Sequence, residues 1–255
     1  KCPVIAITGS NGKTVVKEWL YQLLMPDYTI VRNPKSYNSQ VGVPLSVWEI
    51  GEKDDLAIFE AGISKVGEME HLAKIIYPTI GVLTNIGSEH DDNFRSTDEK
   101  IAEKLKLFEG VDLFIYSKKY LQNYKGTIPG KKQFSWSLTA ALSGGEGDKQ
   151  IQVSLARKEG TGGHVSLSFG EGRGEVLIPF TDHASIENAI ICWTTLFAMG
   201  YQPGEASARL QKLIPVNIRL ELKNGINNCS LIDDSASLDT YSLAIALDFL
   251  KQQQQ

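Results

Sequence analysis

Only three cysteines occur in 255 residues, and Cys2, Cys192 and Cys229 lie far apart. An odd, scattered set argues against a disulfide framework and shows no metal-type pairing, which suits a reducing, cytoplasmic setting. Basic charge is not in excess either: 26 Lys and Arg stand against 30 Asp and Glu, for a net charge of −4. That balance advertises neither nucleic acid nor an anionic membrane, and small molecules are the expected partners. No apolar run approaches the roughly 18 residues needed to span a bilayer, and no signal-peptide pattern precedes the first strand. Internal repeats are lacking as well. The abrupt opening at Lys1 and the closing run Gln252–Gln255 read as the cut ends of a longer polypeptide. What remains is an ordinary globular composition, 42% hydrophobic and 22% charged, sufficient for one large or two modest domains.

The stretch that organises the chain is Val4-Ile5-Ala6-Ile7, then Thr8-Gly9-Ser10-Asn11-Gly12-Lys13-Thr14, then Val15 to Leu24. The apolar run is short enough for a buried parallel strand, and apolar residues 15, 16, 19, 20, 23 and 24 recur at helical spacing. The glycine-rich turn therefore lies where a strand meets a helix N-terminus, whose backbone N–H groups have no intrahelical partner. Gly9 and Gly12 let the chain curl so that those groups, in a loop that includes Ser10 and Asn11, face a phosphate, Lys13 adds a point charge, and the Thr14 hydroxyl can coordinate Mg2+. The general P-loop pattern wants a glycine five residues before Gly12, and Ile7 stands there instead.

Further strands are expected at Tyr28–Val31, Leu56–Phe59, Ile80–Thr84 and Leu113–Tyr116, with helices at Pro44–Trp48, Val66–Ile76 and Thr97–Phe108. Strands alternating with helices imply right-handed crossovers and a mostly parallel α/β sheet covered on both faces. The polar loop Asn33–Gln40, containing Asn38 and Ser39, is either a binding segment or a solvated connector. Glu60 sits at the carboxyl end of the third strand, where open α/β sheets collect ligands and a carboxylate suits a metal. His90, past the fourth strand, is either a second metal ligand nearby or a hydrogen-bonded loop residue. His71 reads as a surface residue. From about Lys132 to Phe180, alternation between glycine-rich turns predicts a small antiparallel β-sheet. Helices at Ser185–Trp193 and Gly204–Leu213 follow. Strands at Arg219–Leu222 and Ser230–Ser235, with a helix at Leu243–Leu250, open a further α/β unit.

These residues resemble the Mur ligases, the ATP-dependent amide-bond ligases of peptidoglycan precursor synthesis, and within them the MurF type that adds D-alanyl-D-alanine. Thr8–Thr14 is similar to that family's own P-loop, which lacks the first glycine. Asn38 through Val43-Pro44 is similar to its Asn-rich loop ending in Gly-Val-Pro, giving Asn38 and Ser39 as substrate-binding candidates. Glu60-Ala61-Gly62 and Thr84–His90 sit where the family keeps a metal-binding Glu and His. Asp182-His183 with Asn188 looks like the region facing the adenine, and Arg219 like the arginine that reaches the nucleotide from the domain junction. Lys104, four residues before Phe108, matches the lysine these ligases carbamylate; read alone it is a solvated helix lysine. At Asp233-Asp234-Ser235-Ala236, Asp234 falls on the nucleotide side, while Ala236 replaces the tyrosine expected against the adenine. Some bacteria carry this ligase fused to alanine racemase.

The resemblance implies residues 1–216 as the central ATP-binding domain and 217–255 as the start of a Rossmann-like C-terminal ligase domain, with the N-terminal domain that holds the UDP-sugar absent. It implies ATP, two Mg2+ ions held by Thr14, Glu60, His90 and carbamylated Lys104, and an acyl-phosphate route joining D-alanyl-D-alanine to a UDP-muramoyl tripeptide. Three rivals stand beside it. A P-loop NTPase or phosphotransferase would want a strand-borne aspartate where Glu60 stands; a non-catalytic nucleotide-binding module would use the loop alone; and folylpolyglutamate synthase shares the loop and metal logic.

Overall fold

The computed structural model describes residues 2–138, 149–159, 162–169, 172–216, 221–224, 229–233, 243 and 247. In strand β1 (Val4–Thr8) successive side chains point to opposite faces. Ile5 and Ile7 enter one apolar layer, Val4 and Ala6 the other, and all are buried. A strand buried on both sides needs helices on both sides, which is the condition for an internal parallel strand.

The chain supplies them in alternation. Helix α1 (Lys13–Leu24) follows β1, then β2 (Ile30–Arg32), α2 (Gly42–Trp48), β3 (Leu56–Glu60), α3 (Glu68–Ile76) and β4 (Ile80–Leu83). Helix α4 (Thr97–Leu105) ends in a 3-10 turn at Lys106–Phe108, and β5 (Leu113–Ser117), α5 (Lys118–Leu121) and β6 (Lys132–Leu138) complete the first half. Then come β7 (Lys149–Glu159), β8 (Gly162–Phe169), β9 (Gly172–Ile178), α6 (His183–Ala198) and α7 (Pro203–Leu210). The sheet order is β2-β3-β1-β4-β5-β6-β7-β8-β9, parallel from β2 through β7 and antiparallel beyond.

The mostly parallel α/β sheet expected from sequence is present, with one difference. The antiparallel pairing expected before Phe180 is made by β7, β8 and β9, and it extends the same nine-stranded sheet instead of forming a separate one. Strand β6 pairs in parallel with β5, Leu113 opposite Lys132 through Ser117 opposite Trp136. The alternation of β6 was misleading for a physical reason: Phe134 and Trp136 are buried on one face, and Ser135 is fully buried on the other. A small buried serine looks like a solvent-facing position in sequence.

One apolar layer is built on α1, α6 and α7, with Trp19 stacked on Phe180 at 4.6 Å between ring centroids. Helix α6 is buried continuously from Ile186 to Leu196, as a helix apolar all round must be. The opposite layer packs α3, α4 and the 3-10 turn against Phe59, Leu83 and Phe114. There Glu103 of α4 reaches across to α3. Its Oε1 accepts from the backbone N–H groups of Gly67 (2.8 Å) and Met69 (3.0 Å), while Lys106 donates to Oε2 at 2.7 Å. A carboxylate at a helix N-terminus satisfies otherwise orphaned donors and opposes the dipole's positive end.

Beyond α7, β10 (Glu221–Asn224) and β11 (Ser230–Asp233) pair antiparallel as a two-stranded sheet. Arg219, Asp234, Ala236 and most of the expected helix at 243–250 lie outside the described residues. Among the described residues no helix is long and apolar enough to cross a membrane.

Candidate active site

The glycine turn takes the shape that its residue types require. Gly9 has φ +149° and Gly12 φ +81°, conformations that L side chains rarely adopt. Space is also closed to a side chain. A Cβ at Gly9 would lie 2.0 Å from Thr84 Oγ1, and one at Gly12 would lie 2.5 Å from Asn188 Oδ1. Asn188, near the start of α6, is thus packed directly over the loop, whereas His183 is more than half exposed, its Nδ1 3.8 Å from Glu187.

The loop is stapled to the segment after β4. Asn85 accepts from Ser10 N through its carbonyl (3.0 Å) and from Asn11 N through its side chain (2.8 Å), and Thr84 Oγ1 donates to Asn11 O at 2.6 Å. Ser10 Oγ accepts from Gly87 N at 2.9 Å. Lys13 folds back over its own turn, donating to Gly9 O (2.9 Å) and Ser10 O (2.6 Å) and pairing with Glu89 at 3.3 Å. No acidic residue occupies the first turn of α1, so nothing there competes with an incoming anion.

Glu60, at the tip of β3, is fully buried, and neither carboxylate oxygen has a hydrogen-bond partner. Burial pushes its carboxyl above the usual range, against the opposing pull of Lys17, the neighbouring Thr14 hydroxyl and Lys13. The Lys17 ammonium is 3.9 Å from Glu60. A buried carboxylate without a hydrogen bond, beside a threonine hydroxyl, is a donor set fit for a hard cation. Mg2+ is commonly held by one or two carboxylates with phosphate and water completing the shell.

Lys104 sits beneath the loop, 2% exposed, donating to Gly9 O at 3.1 Å. Burial, reinforced by the charge of Lys13, lowers its ammonium to about 7. A cavity of about 280 Å³ opens in front of Lys13, lined also by Asn38, Ser39, Gly62, Glu89 and His90. His90 itself is held in a left-handed conformation with φ +60°.

The structure therefore gathers the expected residues in two groups. Lys13, Asn38, Ser39 and His90 share the cavity; Thr14 and Glu60 meet behind it, against Lys17. The lining of the cavity does not include Glu60, so Glu60 and His90 do not share that wall. Sequence reasoning missed Lys17 as part of the site; it named the loop that begins at Asn33 and the segment Thr84–His90, but not the hydrogen bonds that Asn33, Thr84 and Asn85 make there. Lys17 carried a signal: it falls on the same buried helical stripe as Leu20 and Leu24, where a lysine must find partners. Thr84 and Asn85 act through loop-to-loop hydrogen bonds that no local pattern encodes.

Strand, glycine turn, helix and neighbouring strand-tip carboxylate define a P-loop α/β protein. The chain belongs to the Mur ligase family, since residues 7–196 match the Mur ligase middle domain. It is 28% identical over 249 residues to the UDP-N-acetylmuramoyl-tripeptide–D-alanyl-D-alanine ligase of Bacillus subtilis, covering 96% of this chain and 52% of that one. Over 112 residues it is 39% identical to the ligase of the same name from Borreliella burgdorferi, covering 44% of this chain and 24% of that one. The MurF ligase of Thermotoga maritima, solved in complex with ADP, shares the fold with a TM-score of 0.77 at 19% identity, covering 97% of this chain and 56% of that one. The chain thus spans about half the length of the Bacillus subtilis relative.

Proposed function

We propose that this chain is the ATP-binding core of a MurF-type ligase, which joins D-alanyl-D-alanine to a UDP-N-acetylmuramoyl tripeptide in the cytoplasm. The observation that carries the reading is the buried carboxylate of Glu60, without a hydrogen bond and beside Thr14 of the phosphate loop. The relatives' names supply the substrate class.

In the reaction, a peptide carboxylate oxygen bonds to the γ-phosphorus of ATP as the bond to the β-phosphate oxygen breaks, releasing ADP. The amine nitrogen of D-alanyl-D-alanine then bonds to the acyl carbon, phosphate leaves, and the nitrogen loses a proton. Bound Mg2+, two ions in this reading, neutralises phosphate charge. Lys13 leaves its carbonyl partners for the β- and γ-phosphates. Thr14 and Glu60 would hold one cation, and His90 with Lys104 the other. A lysine whose ammonium titrates near 7 is partly neutral at physiological pH, and the neutral amine can take up CO2, releasing a proton and becoming an anionic carbamate. Asn188 and His183 flank the nucleoside end, Arg219 and Asp234 close on the nucleotide, and Asn38 and Ser39 meet the muramoyl peptide. Residues 1–216 form the central domain and 217–255 begin the C-terminal one, with further domains completing the ligase.

ADP release measured with and without both substrates tests the proposal. Turnover that needs the muramoyl tripeptide and the dipeptide is expected; constant turnover makes the protein an NTPase, and none makes it a binding module. Lys104→Ala is expected to abolish ligation, with partial rescue by a short carboxylate. Undiminished activity in that variant removes the carbamate role.

A further inference from the structure

We infer that Lys17 and Asn33 are positioning residues that lock the loop 33–41, and with it Asn38 and Ser39, to the strand tip carrying Glu60. The inference rests on the ligase reading for its functional consequence, but its geometry stands apart from it.

Asn33 is fully buried at the end of β2. Its side chain makes three hydrogen bonds: Nδ2 donates to Tyr37 O (2.8 Å) and to Glu60 O (2.9 Å), and Oδ1 accepts from Glu60 N (3.1 Å). One amide thus joins the loop's middle to both backbone groups of the metal-ligand candidate. Lys17, also fully buried, donates to Asn33 O at 2.7 Å and to Lys35 O, while its charge faces Glu18 at 3.3 Å and Glu60 at 3.9 Å. Lys35 is held at φ +48°, a conformation uncommon outside glycine. A non-glycine residue persists there when its surroundings over-determine it, and the Lys17 ammonium on its carbonyl is such a surrounding.

Downstream the same loop is fastened again. Gly62 N donates to Asn38 O at 2.8 Å, and a Cβ at Gly62 would lie 3.0 Å from the Asn38 side chain. Asn38 and Ser39 then face the cavity that Lys13 lines. Neither Lys17 nor Asn33 lines that cavity. Their effect on a substrate therefore passes through the loop, which makes the peptide side of the cavity and the phosphate side keep one register.

Steady-state kinetics on Asn33→Ala and Lys17→Met, the latter keeping the length of the buried chain, test this, alone and combined with Asn38→Ala. A small misplacement of a positioned group costs on the order of 10- to 100-fold. Asn33→Ala is expected to raise KM for the muramoyl tripeptide about 10-fold while KM for ATP stays within about twofold. Its loss is expected to combine with that of Asn38→Ala to less than the product of the two, because both act through one loop. A multiplicative combination, or a change confined to KM for ATP, overturns the inference. Amide hydrogen exchange provides a second readout that needs no turnover. In both clamp variants the Gly62 N–H is expected to exchange about 10-fold faster while β1 amides do not change; unchanged exchange at Gly62 overturns the clamp. If the wild-type protein shows no substrate-dependent ADP release, the ligase reading falls and exchange alone decides the clamp.

Discussion

The two ends of helix α1 carry charged clusters built on opposite plans. At the N-terminal end, Lys13, Lys17, Glu60 and Lys104 are buried, and their pairing is incomplete: Glu60 has no hydrogen bond, and Lys104 finds one carbonyl. At the C-terminal end, Arg209 donates to Leu23 O and Asp27 at 2.6 Å each and to Glu205 at 2.8 Å, and Tyr201 donates to Asp27 at 2.5 Å. Arg209 also lies 4.7 Å from the Tyr201 ring centroid. That second cluster caps the Leu23 carbonyl in the last turn of α1 with a cation, as the helix dipole favours. The saturated cluster serves stability, whereas the under-satisfied one is, in the proposed function, the part that meets nucleotide and cation. Burying ionised groups without full partners is costly, and a protein keeps such an arrangement where its chemistry needs it.

Three measurements break or sharpen this contrast. The largest effect is expected from Glu60→Gln, which keeps shape and removes charge. Substrate-dependent ADP release should fall by about 100-fold or more, since even residues supporting a metal ligand are worth 10- to 100-fold. The thermal unfolding midpoint of the nucleotide-free protein should hold, because the substitution removes a buried carboxylate that has no hydrogen bond while Lys17 keeps the Asn33 and Lys35 carbonyls and Glu18 as partners. A midpoint lower by several degrees would place Glu60 among the stabilising groups and erase the distinction.

Lys104 gives the next effect, in pH dependence. Its folded-state ammonium titrates near 7 instead of 10.5, so between those values the unfolded chain binds the extra proton. Stability should therefore rise with pH through that window, by at most about 1.4 kcal/mol per pH unit from this group. In CO2-free buffer, denaturant unfolding at pH 7, 8 and 9 should show a slope in the wild type that Lys104→Met flattens. Equal slopes would mean that the buried amine is paired well enough to stay charged.

Arg209→Ala is expected to act least, costing about 1–2 kcal/mol of unfolding free energy through the lost cap, ion pairs and packing. Nucleotide affinity should remain within about twofold. Asp27 sets the sign of the acid limb. Arg209, and then Tyr201, hold its carboxyl below the usual range. Its contribution is present above the ordinary carboxylate value and is lost as pH falls through the depressed one. The variant should lose that part of its acid sensitivity, which unfolding curves between pH 2 and 5 would read. Loss of ADP binding in Arg209→Ala would show that the two ends of α1 are not independent.

Much of this was legible from local chemistry. Gly9 and Gly12 announced a turn that only glycine can make, and the run from Val4 to Ile7 announced a strand covered on both faces. Strand tips delivering Glu60 and the Thr84–His90 segment followed from the alternation of elements. Partnerships across the sheet were not legible. That Asn33 grips both backbone groups of Glu60, that Asn85 staples the phosphate loop, and that β6 lies parallel to β5 are facts of tertiary pairing. Sequence periodicity reports which face a residue takes, and says nothing of which distant backbone group waits there.

Glu103 and Lys104 are neighbours in sequence and point to different places, one into the start of α3 and the other under Gly9. Helix α4 consequently has no freedom to slide or rotate: any displacement that moved the amine would also strip the acid from the N–H groups it covers. Evolution can alter the chemistry at position 104 by substitution, but the place from which that side chain acts is fixed by the residue before it.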